Sequence, residues 1–266
     1  MTPPGLLYEM EAHSAQRARA LRGRLSIAQM RRQALQTAPP PALSLSAFDV
    51  LAEIKWRSPS AGTLAAPPDL ERATADRAVR YAEAGAAAVS VLTEPMRFGG
   101  SLSLLSAAAA VCPVPVMRKD FLVDPAQVYE ARVAGAGGVL LIVRSLSDTL
   151  LQDMLGAAEE SGLFVLIEAF DAADLQRLPA LPANTLVGVN TRNLVTLAVV
   201  PDRLAALVGQ IPAGCVPVAE SGMASPEDVA AAAALGYRMA LVGSALMRTS
   251  TPDVLVSAMK EAGRCS

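Results

Sequence analysis

Eight short runs of mainly apolar residues recur along this chain, at 50–54, 86–92, 114–119, 138–143, 163–168, 186–189, 216–219 and 239–242. Segments of helical character separate them. That alternation leaves few folds open. Runs of four to seven residues are strand length, and near-continuous apolarity is what parallel strands buried on both faces require. The intervening helices are predicted at about 70–84, 101–110, 126–134, 147–160 and 201–208, with a short one capped by Asp171 and closing helices at the end. Asp124-Pro125 and Ser225-Pro226 each read as an N-cap followed by proline in the first turn. Ala84-Gly85-Ala86, Ala134-Gly135-Ala136, Ser161-Gly162-Leu163 and Leu235-Gly236-Tyr237 form a crude repeat. Each ends a helix with a glycine free to turn left-handed, then feeds a strand. About eight such βα units in about 220 residues fit an α/β fold of the (β/α)8 TIM barrel type. An open doubly wound sheet is the runner-up, but the glycine-rich fingerprint it usually carries after its first strand is missing.

Residues 7–36 precede the alternation and carry Arg17, Arg19, Arg22, Arg24, Arg31 and Arg32 among Ala, Leu, Met and Gln. They read as helix packed on the main domain. Glu9 and Glu11 argue against a transit peptide. Ala38-Pro39-Pro40-Pro41 is a linker. The expected organisation is an N-terminal helical extension and linker over 1–45 and a barrel catalytic domain over 46–266.

Several function classes are excluded early. The net charge of −2 gives no bulk attraction to nucleic acid or anionic lipid. No apolar run reaches the ~18 residues of a membrane span. Cys112, Cys215 and Cys265 are odd in number and far apart, which suits a reducing cytoplasm. His13 is the only histidine and lies outside the barrel, so a Ser-His-Asp triad or a multi-histidine metal site is not expected. No metal and no cofactor are expected. Acid–base chemistry must come from Lys, Glu, Asp or Tyr.

Closing the barrel brings the carboxyl ends of all strands to one face. The first strand delivers Glu53 and Lys55, two apart and so on one side. The third delivers Lys119, the fifth Glu168, the sixth Asn190 and Arg192, the seventh Glu220 and Ser221. Any one of these alone reads more readily as a loop polar group. Together they are a constellation, since charged residues make up only 18% of the chain. Ser221-Gly222 and Gly243-Ser244 follow the last two strands, the usual phosphate site of such barrels. The residues alone thus point to a phosphorylated small substrate and to proton transfers at a carbonyl or enamine.

Longer stretches carry a resemblance. Ala52-Glu53-Ile54-Lys55 with Ser58-Pro59-Ser60, Arg118-Lys119-Asp120-Phe121, Leu166-Ile167-Glu168, Gly188-Val189-Asn190-Thr191-Arg192-Asn193-Leu194, Ala219-Glu220-Ser221-Gly222 and Leu241-Val242-Gly243-Ser244 occur in order. Together they resemble the indole-3-glycerol-phosphate synthase family. The resemblance implies a lyase of tryptophan biosynthesis. It would close the ring of 1-(2-carboxyphenylamino)-1-deoxyribulose 5-phosphate and release CO2 and water. It implies Lys119 as general acid, Glu168 as an aid to condensation or dehydration, and Glu53 as base or acid in dehydration. Lys55 would stabilise an anionic group, and Asn190 and Arg192 would orient the substrate. Ser58, Ser221, Gly222, Gly243 and Ser244 would hold its carboxylate or phosphate, with Ser221 counted in the catalytic set. Phe98, Phe121 and Leu194 would wall the aromatic ring.

Lys55 and Arg192 nearby would lower the pKa of Lys119, with Glu168 opposing, and a bulky residue at Gly243 would crowd the bound anion. Trp56, Ala61, the apolar segment Thr63–Asp69 and Arg97 depart from the family pattern around the first two βα loops. The alternatives are an isomerase-like barrel resembling phosphoribosylanthranilate isomerase, a synthase paralogue of a secondary indole pathway, and a barrel that only binds a phosphorylated metabolite. The expected state is a monomer, with a homodimer as the alternative.

Overall fold

The structure is a computed structural model, and it describes residues 5–193, 196–200 and 202–265. Its centre is a closed barrel of eight parallel strands: β1 Asp49–Ile54, β2 Ala88–Leu92, β3 Val116–Lys119, β4 Gly138–Ile142, β5 Phe164–Ala169, β6 Leu186–Asn190, β7 Val216–Glu220 and β8 Met239–Val242. Each strand pairs with the next in sequence, and β1 closes on β8 with Leu51 opposite Leu241. All eight apolar runs are therefore strands, each within a few residues of the predicted ends.

The helices are α1 Leu6–Arg22, α2 Ile27–Gln36, α3 Leu70–Glu83, α4 Leu102–Ala109, α5 Pro125–Val133, α6 Asp148–Glu160, α7 Ala172–Gln176, α8 Arg203–Leu207, α9 Pro226–Ala234, α10 Ser244–Arg248 and α11 Pro252–Arg264. The cap signals act as read. Asp124 accepts a hydrogen bond from the Ala126 amide, Asp171 from that of Asp174 and Ser225 from that of Asp228. Gly85 and Gly135, each closing a helix ahead of a strand, sit at φ 92°, where a side chain would be strained. The single helix expected over 7–36 is two helices. Gly23 ends the first, and Ser26 starts the second with a capping box to Gln29. A small antiparallel hairpin, Arg57–Ser58 against Gly62–Thr63, occupies the loop after β1.

Period-two alternation sorts the strand residues. Leu51, Met117, Leu140, Leu166, Leu186, Val218 and Met239 join one buried cluster that fills the barrel interior. Val50, Ala52, Val89 and Val91, together with helix residues such as Ala78, Tyr81 and Leu105, join another that packs the strands against the helices. Each residue two positions beyond an interior apolar residue points up the same side of its strand. That geometry places the chemistry.

Candidate active site

The interior rows end in polar groups: Leu51 leads to Glu53, Met117 to Lys119, Leu166 to Glu168 and Val218 to Glu220. Glu53, Lys119 and Glu168 line one cavity of about 270 Å³ at the carboxyl ends of the strands, and Glu220 lies buried behind Lys119. Lys55, Phe98, Phe121, Asn190 and Arg192 line it too, and so do Ser221, Gly222, Gly243 and Ser244. Room of that size suits one small molecule.

The charges are buried and interlocked. Lys55 Nζ lies 2.6 Å from Glu53 Oε1, and Lys119 Nζ lies 2.9 Å from Glu53 Oε2 and 3.7 Å from Glu220 Oε2. Asn190 Nδ2 donates to Glu168 Oε2 at 3.1 Å. Burial alone would push the Glu53 carboxyl up, but the two ammonium groups outweigh it and hold its pKa down to about 2. Burial alone would pull Lys119 down. Glu53, Glu220 and Glu168 outweigh that and hold its pKa above the ordinary lysine value. Burial and the adjacent Glu168 carboxylate push Glu220 well above the ordinary carboxylate range. The expected lowering of Lys119 is thus reversed. The cations counted from the sequence are outmatched by carboxylates that only barrel closure brings near.

Two glycines make this packing possible. A side-chain carbon at Gly188 would sit 1.9 Å from Glu220 Oε1, and one at Gly243 would sit 2.2 Å from Glu53 Oε1 and 2.9 Å from Lys55 Nζ. Bulk at Gly243 would therefore meet the Glu53–Lys55 pair as well as any anion held by the loop. The open face of Gly243 is turned toward that pair.

The cavity has two chemically different ends. Phe98 and Phe121, with ring centroids 6.0 Å apart, form an apolar wall with Leu140 and Ile142. Ser221, Gly222, Gly243 and Ser244 line the cavity from the loops after β7 and β8. Ser221 takes φ 64°, a left-handed conformation that costs a non-glycine residue about 1–2 kcal/mol. Arg192 borders the cavity with its guanidinium donating to Leu197 O at 2.8 Å.

One expected residue is not brought in. Ser58 is buried in the hairpin, where its Oγ accepts from the Ala61 amide at 3.2 Å, and it does not line the cavity. Leu194 lies outside the described residues. Conversely, Glu220 belongs with the four ionic residues at the centre but had been noted only as a polar strand end. Its signal was its place two residues beyond Val218 on an inward row. Arg248, Met223 and Leu241 also line the cavity.

The Arg-Lys-Asp run divides by direction. Lys119 faces the cavity. Arg118, 1% exposed, bonds instead to Thr93, Glu130 and the Gln127 carbonyl. Trp56 turns away from the cavity and donates to Thr74 Oγ1 on α3 at 3.0 Å. Among the described residues no group of three or more His, Cys, Asp or Glu is arranged to hold a metal ion, and no helix is long and apolar enough to cross a membrane.

Comparison with known proteins agrees with the geometry. The family model described as indole-3-glycerol phosphate synthase matches residues 9–259. A protein of that name from Paenarthrobacter aurescens is 43% identical over 251 residues, covering 91% of this chain and 90% of its own. One from Nocardioides sp. is 47% identical over 221 residues, covering 83% of each. One from Acidithiobacillus ferrooxidans is 41% identical over 256 residues, covering 93% of this chain and 95% of its own. Among solved structures, 3-hexulose-6-phosphate synthase from Salmonella typhimurium matches with a TM-score of 0.60 at 17% identity, covering 81% of this chain and 98% of its own. Tryptophan synthase subunit alpha from Legionella pneumophila gives 0.59 at 16%, covering 82% and 94%. These two likenesses speak to the barrel fold alone.

Proposed function

The chain belongs to the indole-3-glycerol phosphate synthase family, and from that premise we propose how its side chains divide the work. The reaction is that of a carboxy-lyase: ring closure of 1-(2-carboxyphenylamino)-1-deoxyribulose 5-phosphate with loss of CO2 and water, a step of tryptophan biosynthesis. The observation that carries the assignment is the Lys119 ammonium, fixed between Glu53 and Glu220 on the floor of a cavity that is aromatic at one end and glycine-serine at the other.

The substrate has matching parts. Its carboxyphenyl ring fits against Phe98 and Phe121. Its phosphate fits the Ser221-Gly222 and Gly243-Ser244 loops, whose backbone an anion can approach closely. The ketone then falls near Lys119. As the ring carbon attacks, negative charge grows on the ketone oxygen, and Lys119 stabilises it and delivers a proton. A raised pKa does not prevent this, because an alkoxide is far more basic than an amine. The substrate carboxylate needs cations until it leaves as CO2, and Lys55 and Arg192 are the two at hand.

Dehydration needs a base and a proton source. Glu168, oriented by Asn190, is the base. Glu220, pushed well above the ordinary carboxylate range by burial and Glu168, holds its proton to higher pH than a free carboxyl and can return it. With Glu220 neutral, Lys55 and Lys119 balance Glu53 and Glu168. Glu53 is too acidic to donate a proton near neutrality, so its role is to hold the two ammonium groups in place. Ser58 would join the site only with substrate bound.

Residues 46–266 are proposed as the catalytic unit and 1–45 as its extension. One chain supplies every residue of the site, which supports a monomer as the working form. Three free cysteines support a cytoplasmic location. Incubating the protein with the carboxyphenylamino substrate should raise indole fluorescence, and inorganic phosphate should inhibit competitively. Absence of indole product would overturn the reading.

A further inference from the structure

Helix α1 reaches the cavity walls through two ion pairs that the chemistry above leaves unused. Arg97 donates from Nη2 to both carboxylate oxygens of Glu9, at 2.9 and 2.7 Å, and from Nε at 3.2 Å. Arg17 donates from Nη1 and Nη2 to the two oxygens of Asp120, both at 2.7 Å. Each pair adjoins a residue of the cavity wall. Arg97 precedes Phe98, and Asp120 stands between Lys119 and Phe121.

Both loops have other ties, and in the first Arg57 of the hairpin after β1 donates from Nε to the Arg97 carbonyl at 3.1 Å and from Nη2 to the Met96 carbonyl. Glu94, fully buried, accepts from the amides of Met96, Arg97 and Phe98 at 2.8, 2.7 and 3.1 Å, which fixes the backbone turn. Asp120 also accepts from Thr93 Oγ1 at 2.7 Å and from the Phe121 amide at 2.8 Å. Farther along, Gln127 donates to Ser14 Oγ on α1 at 2.9 Å, and Arg22 pairs with Asp124 at 3.0 Å. Met10, between the two pairs, is fully buried in the same apolar cluster as Phe121, with Phe98 packed against it. Glu9 and Arg17 are eight residues apart on one rigid helix, about 12 Å at 1.5 Å per residue. The helix therefore sets the spacing of two loops whose rings meet at 6.0 Å.

We propose that α1 works as a spacer for the aromatic end of the site, with Glu9, Arg97 and Arg17 as positioning residues. Glu9–Arg97 sets Phe98, and Arg17–Asp120 sets Phe121 and the end of β3. This rests on the reading of the site given above. A helix that served stability alone would leave the balance of KM and kcat untouched.

The test is a charge swap. Glu9→Arg and Arg97→Glu, both at half-exposed positions, should each raise KM for the carboxyphenylamino substrate about two- to fivefold, the range of an exposed ion pair. They should leave kcat and the inhibition constant of inorganic phosphate near wild type. The double variant Glu9→Arg/Arg97→Glu should recover the wild-type KM. Arg17→Ala should lower kcat by up to about 100-fold through misplacement of the β3 end, and Arg17→Lys should recover part of it. Unchanged KM in both single swaps, or no recovery in the double, overturns the proposal. If the wild-type protein itself makes no indole product, the reading of the reaction falls. The spacer is then judged by amide hydrogen exchange at 96–98 and 120–122. Faster exchange in the singles with recovery in the double upholds it, and equal protection in all four proteins overturns it.

Discussion

Gly243→Ala is the smallest change that should separate two accounts of the same glycine. Gly243 sits at φ −124°, outside the left-handed region that favours glycine. Space is the issue. The new methyl carbon would lie 2.2 Å from Glu53 Oε1 and 2.9 Å from Lys55 Nζ. Ordinary carbon–oxygen contact is over 1 Å longer than the first of these. The Glu53 carboxylate must move by about that much, and it is held at 2.6 Å by Lys55 and at 2.9 Å by Lys119. Displacing it releases Lys119 from its position, and misplacing a catalytic group by about 1 Å costs on the order of 100-fold in rate. The expected result is a kcat near one-hundredth of wild type, with KM and the inhibition constant of inorganic phosphate changed by only a few-fold. Steady-state kinetics with indole fluorescence, alongside phosphate inhibition, reads both. A rise in KM and in the phosphate inhibition constant with kcat unchanged would refute the reasoning, because it would mean that the methyl group obstructs the anion and spares the Glu53–Lys55 pair.

Two further outcomes are expected. Ser244→Ala removes one charge-assisted hydrogen bond to phosphate, about 1.5–3 kcal/mol, and should raise KM roughly ten- to hundredfold with little change in kcat; a dephosphorylated substrate that binds as tightly as the phosphorylated one would dismiss the phosphate site. Glu220→Gln should lower kcat yet raise the melting temperature near neutral pH. The folded state binds the Glu220 proton more tightly than the unfolded chain, whose pKa is the ordinary 4.5, so the wild type loses stability as pH rises above 4.5 toward the raised folded value. Glutamine removes that loss, and melting temperatures of the two proteins that stay equally far apart from pH 4 to pH 8 would speak against a raised Glu220.

The barrel was legible because its strands are buried on both faces. Uninterrupted runs such as Gly138–Ile142 and Met239–Val242 have no solvent side to mark with polar residues, and helices fill the gaps, most with a side-chain cap but α8 without one. The break in the N-terminal helix was less visible, since arginines continue on both sides of Gly23 and Ser26. The hairpin after β1 was invisible, because two-residue strands carry no periodicity.

At the site, identity was legible and environment was not. Lys119, Glu168 and Glu53 stand at strand ends in plain sequence. That three carboxylates surround Lys119, and that Arg118 and Asp120 join a buried network with Thr93 and Arg17, depends on neighbours 25 to 103 positions away. Arg97 looked like an irregularity within its loop. Its partner is Glu9, on a helix that no local pattern connects to it.

The central claim is that Lys119 supplies the proton and charge for ring closure. Lys119→Ala and Lys119→Arg, compared with wild type on the carboxyphenylamino substrate, test it most directly. Lys119→Ala should fold, bind phosphate and lose about 10²–10⁴-fold in kcat with little change in affinity. Lys119→Arg keeps the charge but gives up a proton poorly, so it should stay strongly impaired. Turnover within a few-fold of wild type in Lys119→Ala would contradict the claim, and full activity in Lys119→Arg would reduce the residue to an electrostatic stabiliser.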